Sequence, residues 1–303
     1  MELKNLVTFI QVAESGSFTK AAKILGYSQS TVSFQIGQLE AELEIRLFDR
    51  IHHTVSLTEG GKRILSCAHE MTRLAEEMSM PAGEKRPVKG HVRIAMADSL
   101  CRYLLGGAFV RLQSRYPEIT LKVVSGDTNE MFRLLNHNEV DLVFTLDKHI
   151  YDREYVIAGE ERIPMHFVVP RGHALTGREH VSVCELTDYP FLLTEKGMSY
   201  RRLLEERLAA LSLEVTPVLE LGNAEILCRL VAEGTGLSFL PDFTTERYVQ
   251  AGTIRRLSVP DCEIAVWGQL LYHRDKWLTP QIRAVAESFL LHMPEIGGDT
   301  TNA

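Results

Sequence analysis

One stretch constrains this chain more than any other, the run FIQVAESGSFTKAAKILGYSQSTVSFQIGQLEAELEIRLFDRIHHTVSLT from Phe9 to Thr58. Ser17 is placed to cap a short helix whose inward residues are Ala21, Ala22 and Leu25. Gly26 supplies the left-handed conformation that ends such a helix, and Ser28 caps the next one. Two helices joined by a tight, glycine-containing turn form a helix-turn-helix, whose second helix lies in the major groove of DNA.

That second helix, from Ser28 to about Leu43, has two faces. Val32, Ile36, Leu39 and Leu43 recur at intervals of four, three and four, an apolar stripe directed at a core. Gln29, Ser30, Ser33, Phe34 and Gly37 fall on the opposite side, which carries no acidic residue. Amides and hydroxyls near a helix N-terminus suit base edges and phosphates. The candidate DNA contacts on this helix are therefore Ser28, Gln29, Ser30, Thr31, Ser33, Phe34 and Gln35. Phe34 is apolar where an outward residue is normally polar, and it has two uses: touching thymine methyls or packing on a wing. A merely solvated polar face is the alternative for a helix standing alone; the surrounding motif argues against it.

Past this helix, Val55 and Leu57 alternate with Thr54 and Ser56 as in a half-buried strand. A short hairpin around His52 and His53 would form the wing, with Arg46, Arg50 and both histidines placed to meet phosphate. No further ligand stands at metal-binding spacing from the histidine pair, so no metal is expected.

Net charge gives no support to a nucleic-acid partner. The chain of 303 residues is formally −7. Residues 1–60 hold five Lys and Arg against seven Asp and Glu, a formal −2. Binding that rests on local phosphate contacts should be modest on non-specific DNA and steeply salt-dependent. No apolar run precedes the first helix and no stretch of eighteen apolar residues occurs, so no secretory signal or membrane span is expected. The five cysteines are scattered, without a CxxC, as suits a reducing cytoplasm.

Thr58 can cap a further helix running to about Met80. Along it Ile64, Ala68, Met71, Ala75 and Met78 repeat at four, three, four and three, the seam of a two-stranded coil. Such a stripe packs either on its own domain or on the same helix of a second copy, the favoured reading. The second arrangement would hold two reading helices at a fixed separation. Pro81–Gly90 (PAGEKRPVKG) reads as a hinge.

From His91 the pattern changes to alternating strands and helices: HVRIAMA, a helix over 98–116, ITLKVVSG, TNEMFRLLNHN and DLVFTL. That order implies a parallel, doubly wound sheet. A second set follows (HFVVP, PFLLT, a helix over 200–211, VTPVLEL, a helix over 224–233, LSFLP), closed by a strand over 265–273 and a helix over 280–293. The expected division is a winged helix-turn-helix domain at 1–58, a dimerisation helix and hinge at 59–90, and an effector-binding domain at 91–303. Within the last, subdomain I takes 91–162 and 266–295, and subdomain II takes 163–265, with a cleft between them. Ligands of open α/β sheets sit beyond strand carboxyl ends, near helix N-termini. That rule selects Asp98, Ser99, Leu100, Thr128 and Thr145 in one subdomain, and Thr194, Met198, Asn223 and Ala224 in the other. Hydroxyls and backbone N–H groups there favour an anion such as a carboxylate; the alternative for each residue is that it only caps its helix.

No nucleophile elbow, phosphate loop or HExxH motif is present, and EGTGLSFLP lacks the context of a dinucleotide fingerprint, so neither catalysis nor a cofactor is expected. Cys101, one turn into a helix at the cleft, leaves open a thiol-based redox sensor, against the commoner buried, inert thiol. A solute-binding or enzymatic module with a non-DNA-binding helical domain is the other alternative.

The N-terminal segment resembles the DNA-binding domain of the LysR-type transcriptional regulators. The resemblance rests on Phe9, Ala13, Ser17, Phe18, Ala21, Ala22, Leu25, Ser28, Gln29, Val32, Ser33, Ile36, Leu39, Glu40, Leu47, Phe48, Arg50, Leu57, Thr58 and Gly61. Ser30, Phe34 and Glu44 depart from it, standing where that family often has proline, a polar or basic residue, and glycine. The rest of the chain to about residue 295 is similar to the effector-binding domain of the same family, itself like periplasmic solute-binding proteins. The resemblance implies a fold that is α/β behind an all-α winged helix-turn-helix, with Ser99 and Thr128 at positions that commonly touch effector. It implies double-stranded DNA and a small molecule as partners, a homodimer or homotetramer, and RNA polymerase as a further partner.

Overall fold

The computed structural model describes residues 1–51, 54–78 and 87–293. The chain forms two compact units, Met1–Arg86 and Pro87–Ala303.

In the first unit the elements are α1 (Leu3–Ser15), α2 (Phe18–Leu25), α3 (Gln29–Leu43), β1 (Phe48–Ile51), β2 (Thr54–Leu57) and α4 (Glu59–Met78). The caps fall where the hydroxyls stand: Ser17 accepts from the Lys20 N–H and Ser28 from the Thr31 N–H. Gly26 ends α2 at φ 69°. Val32, Ile36 and Leu39 are fully buried against Leu6, Phe9 and Val12 of α1 and Ala21 and Ala22 of α2, while Leu25 is half-buried. Phe48 sets its ring edgewise to Phe9 and Phe18, with centroids 5.4 and 5.7 Å away. β1 and β2 pair antiparallel, Phe48 opposite Leu57.

The turn out of α3 is held by two devices. Glu44 adopts φ 54°, the left-handed conformation that glycine takes without strain. Glu40 Oε1 accepts the Leu47 N–H at 2.7 Å, so this carboxylate is structural. The α4 backbone then passes so close to the wing that a Cβ on Gly61 would lie 2.1 Å from the Leu47 carbonyl oxygen. Thr58 accepts from the Gly61 N–H, as expected of a cap.

The seam expected on α4 is divided. Ala68 is buried with Ile64 and Leu65 packed beside it in the core of the first unit, whereas Met71 and Met78 are 41% and 87% exposed. Cover thus thins along the helix: Thr72 is still buried, but the Met71, Leu74 and Met78 side chains are exposed. Residues 81–86 of the expected hinge lie outside the described residues.

The second unit holds β3 (Gly90–Met96), α5 (Asp98–Leu104), a π-helical turn (Leu105–Phe109), α6 (Val110–Arg115), β4 (Ile119–Ser125), α7 (Thr128–Asn136), β5 (Leu142–Asp147) and β6 (Tyr155–Ile163). Next come β7 (Met165–Pro170), α8 (Val183–Leu186), β8 (Leu192–Leu193), α9 (Ser199–Ala210), β9 (Leu219–Glu220), α10 (Ala224–Ala232), β10 (Ser238–Pro241), α11 (Asp242–Gln250) and β11 (Ile254–Leu257). A short 3-10 turn (Pro260–Cys262), β12 (Val266–His273) and α12 (Pro280–Leu290) complete it.

The sheet of subdomain I runs β4-β3-β5-β12-β6. β3 is parallel to β4 and β5, but β12 is antiparallel to both of its neighbours. Subdomain II repeats the plan. β8 is parallel to β9 and meets β10 through a parallel bridge from Phe191 to Leu237, while β7 runs antiparallel to β10 and β11. A wholly parallel sheet is therefore wrong for both. The reversed strands are β7 and β12, the two that enter a subdomain directly after crossing. A strand arriving from the cleft must run opposite to strands that end there. The first crossing is abrupt: β6 ends at Ile163 and β7 begins at Met165, with Pro164 between. One buried cluster extends through both subdomains, including Met96, Leu100 and Phe144 together with Phe167, Tyr200 and Phe239.

Candidate nucleic-acid interface and effector cleft

The outward face of α3 presents Ser28, Gln29, Ser30 and Phe34 as exposed residues, with Thr31 and Ser33 half-buried. Ser28 Oγ lies 2.8 Å from both Ser30 Oγ and Thr31 Oγ1, and Gln29 Nε2 donates to Ser33 Oγ at 3.2 Å. These polar groups are ordered by one another before any ligand arrives.

Gln35 does not belong with them. It is 6% exposed, and Thr8 Oγ1 donates to its Oε1 at 2.6 Å. It faces α1, because one step along a helix rotates a side chain by about 100°. Arg50 stands on β1 opposite Val55, and its side chain, like all of His52 and His53, lies outside the described residues. No set of His, Cys, Asp and Glu side chains among the described residues could hold a metal.

In the second unit, contacts between the subdomains gather on two side chains that strand-end reasoning missed. Tyr200, in the first turn of α9, is 4% exposed, and its hydroxyl is turned toward the side chains of Ser99 of α5 and Thr194. Burial pushes this phenol above its ordinary value, so it stays neutral. Asp147, the last residue of β5, is 3% exposed and accepts from three donors: Arg202 of α9 at 2.6 Å, Thr128 Oγ1 at 3.0 Å and the Lys148 N–H at 2.7 Å. Tyr103 and Phe243 add a ring contact at 5.1 Å.

Among the expected effector residues, Ser99 and Thr194 thus converge through Tyr200, and Thr128 is committed to Asp147. Asp98 pairs with Arg102 at 3.5 Å. Leu100 and Ala224 are core residues. Thr145 is fully buried, two residues before Asp147 on the same strand face, and its hydroxyl finds no partner among the described residues. Asn223 caps α10, accepting from the Glu225 and Ile226 N–H groups. Asp127 caps α7 in the same way. By contrast, α5 and α9 begin after Ala97 and Met198 without a side-chain cap. The two helix starts that carry Ser99 and Tyr200 both keep N–H groups free of a side-chain cap, as do those of α11 and α12.

Cys101 is no activated thiol. Burial, reinforced by Asp98, pushes it up to about 12. Cys228, in α10, is likewise raised to about 12 by burial. The helix start that would acidify Cys101 is outweighed by its apolar surroundings.

Two family models match. Residues 3–62 match a bacterial regulatory helix-turn-helix protein of the lysR family, and residues 85–294 match the LysR substrate binding domain. The uncharacterized transcriptional regulator YwqM of Bacillus subtilis is 32% identical over 286 residues, 94% of this chain and 97% of that protein. YofA of Bacillus velezensis is 31% identical over 251 residues, 82% of this chain and 84% of its own. A full-length OxyR variant from Pseudomonas aeruginosa superposes with a TM-score of 0.60 at 22% identity, covering 96% of this chain and 95% of that one. No described helix is long and apolar enough to cross a membrane.

Proposed function

This chain belongs to the lysR family of bacterial DNA-binding transcriptional regulators with an effector-binding domain, and from that premise we propose how the two activities are divided. The N-terminal turns of α3 read the duplex through Gln29, Ser30 and Ser33, with Ser28 and Thr31 near phosphate. A small anionic molecule binds between the subdomains at the uncapped starts of α5 and α9. The observation that carries the second assignment is the convergence of Ser99, Thr194 and Tyr200 at these starts, where N–H groups and hydroxyls can serve a carboxylate. Beside these starts, on the Thr128 side, there is no room for a second anion, because the buried Asp147 carboxylate already takes Thr128 and Arg202. Two copies pair through the exposed half of α4. Effector binding shifts the balance between open and closed subdomains, and with it the spacing of the paired reading helices.

A gel shift of the full chain on the DNA upstream of its own gene at low salt tests the first assignment. Wild-type protein retards the fragment, and the double substitution Gln29→Ala, Ser33→Ala abolishes retardation without lowering the melting temperature. No retardation anywhere in that region overturns it. For the second, small carboxylates and aromatic acids are screened by thermal shift on the full chain. A stabilising acid should lose its effect in Ser99→Ala and keep it in Asn223→Ser, which retains a cap.

A further inference from the structure

Phe34 is 64% exposed in the second turn of α3. The residues sharing its outward face, Gln29, Ser30, Ser33, Gly37 and Gln38, carry no charge and no other large apolar group. Among the described wing residues, Val55 and Leu57 join the core of the first unit, and Phe34 is absent from that cluster. Three residues further on, on the same face, stands Gly37, where an added Cβ would meet nothing within 4 Å. Glycine inside a helix is unfavourable relative to alanine, and no neighbour forbids a side chain at this position. The reading helix thus carries two locally unfavourable choices side by side: a bare phenyl ring and a notch next to it.

A phenyl ring has no donor or acceptor, so it cannot read the hydrogen-bonding pattern of a base pair. It can desolvate the one apolar group on the major-groove edge, the C5-methyl of thymine. We propose that Phe34 is a specificity-determining residue that reads a thymine methyl, with the Gly37 notch admitting the base edge beside the ring. The proposal rests on the assignment of α3 as the reading helix and adds which base the helix selects.

Uracil differs from thymine only in lacking that methyl, so the test deletes one methyl from the DNA. Duplexes retained by the full-length protein are selected from a random-sequence pool at low salt, and each thymine of the selected site is replaced in turn by deoxyuridine. At one thymine per half-site, wild-type affinity should fall about fourfold, the loss of one buried methyl. The penalty should vanish in Phe34→Ala and persist in Phe34→Leu, with both variants melting like wild type. Equal binding of thymine and uracil duplexes by wild type overturns the proposal, as does a methyl penalty that survives in Phe34→Ala. Retention of no duplex at all overturns the DNA-reading assignment itself, an outcome distinct from bound duplexes that ignore the methyl.

Discussion

Phe34 and Gln35 are adjacent in the chain and opposite in fate: the apolar residue is exposed and the amide is buried. The apolar stripe of α3 marks only the hydrophobic part of its inward face. The burial of Gln35 depends on Thr8, which lies 27 residues away and leaves no trace in local periodicity. Gln35→Ala should strand the fully buried Thr8 hydroxyl and cost about 1–3 kcal/mol, visible as a lowered melting temperature. The variant's DNA affinity, measured where it is fully folded, should be unchanged. At Glu44 the family resemblance flags the position, since glycine is usual there in that family, and the φ of 54° gives the reason. Thiol chemistry separates the cysteines by burial. Cys67 and Cys184 are exposed, whereas burial lifts Cys101 and Cys228 to about 12 and Cys262 to about 11. Ellman's reagent at pH 7.5 should modify Cys67 and Cys184 in the folded protein and the other three only after denaturation. Rapid modification of Cys101 in the native state would revive the redox reading.

At the scale of elements, strands marked by alternation or continuous apolar runs were legible, and polar edges were not. β6 escapes detection because YVIAGEERI carries Gly159, Glu160, Glu161 and Arg162, yet such charges suit an edge strand exposed on one side. β11 is hidden in the same way by Arg255 and Arg256. The far end of the first sheet is fastened by Asp141, which is 4% exposed. It accepts from the Arg93 N–H and guanidinium and from Lys276 Nζ, at 2.5–3.2 Å. Burial alone would raise its pKa; the hydrogen bonds and charges of Arg93 and Lys276 outweigh it and hold the carboxyl below its ordinary value. A group depressed in the folded state stabilises above its unfolded pKa and loses that contribution as pH falls through the folded value. Thermal melts from pH 7 downward should therefore drop below about pH 4, and Asp141→Asn should flatten this part of the decline while costing about 3 kcal/mol at pH 7.

For the whole molecule, strand-end reasoning named some of the residues that lie between the subdomains but not the side chains they meet. Ser99 and Thr194 follow from the rule for α/β sheets. Tyr200, Arg202 and Asp147 do not, because their partners are fixed by how the second subdomain folds over the first. Each subdomain inserts one reversed strand at the crossing, so opening the cleft must bend residues near Pro164 and between β11 and β12, and must part Asp147 from Arg202. Asp147→Asn should weaken that link and destabilise the second unit by about 2 kcal/mol, read as a lowered melting temperature. Under the proposed function, paired copies of α3 are presented to one duplex, and hydroxyl-radical footprinting of the full chain on a selected duplex is the decisive measurement. Two protected patches are expected on one face of the DNA, a whole number of helical turns apart, both lost with Gln29→Ala, Ser33→Ala. A single patch, or protection indifferent to those substitutions, would contradict it.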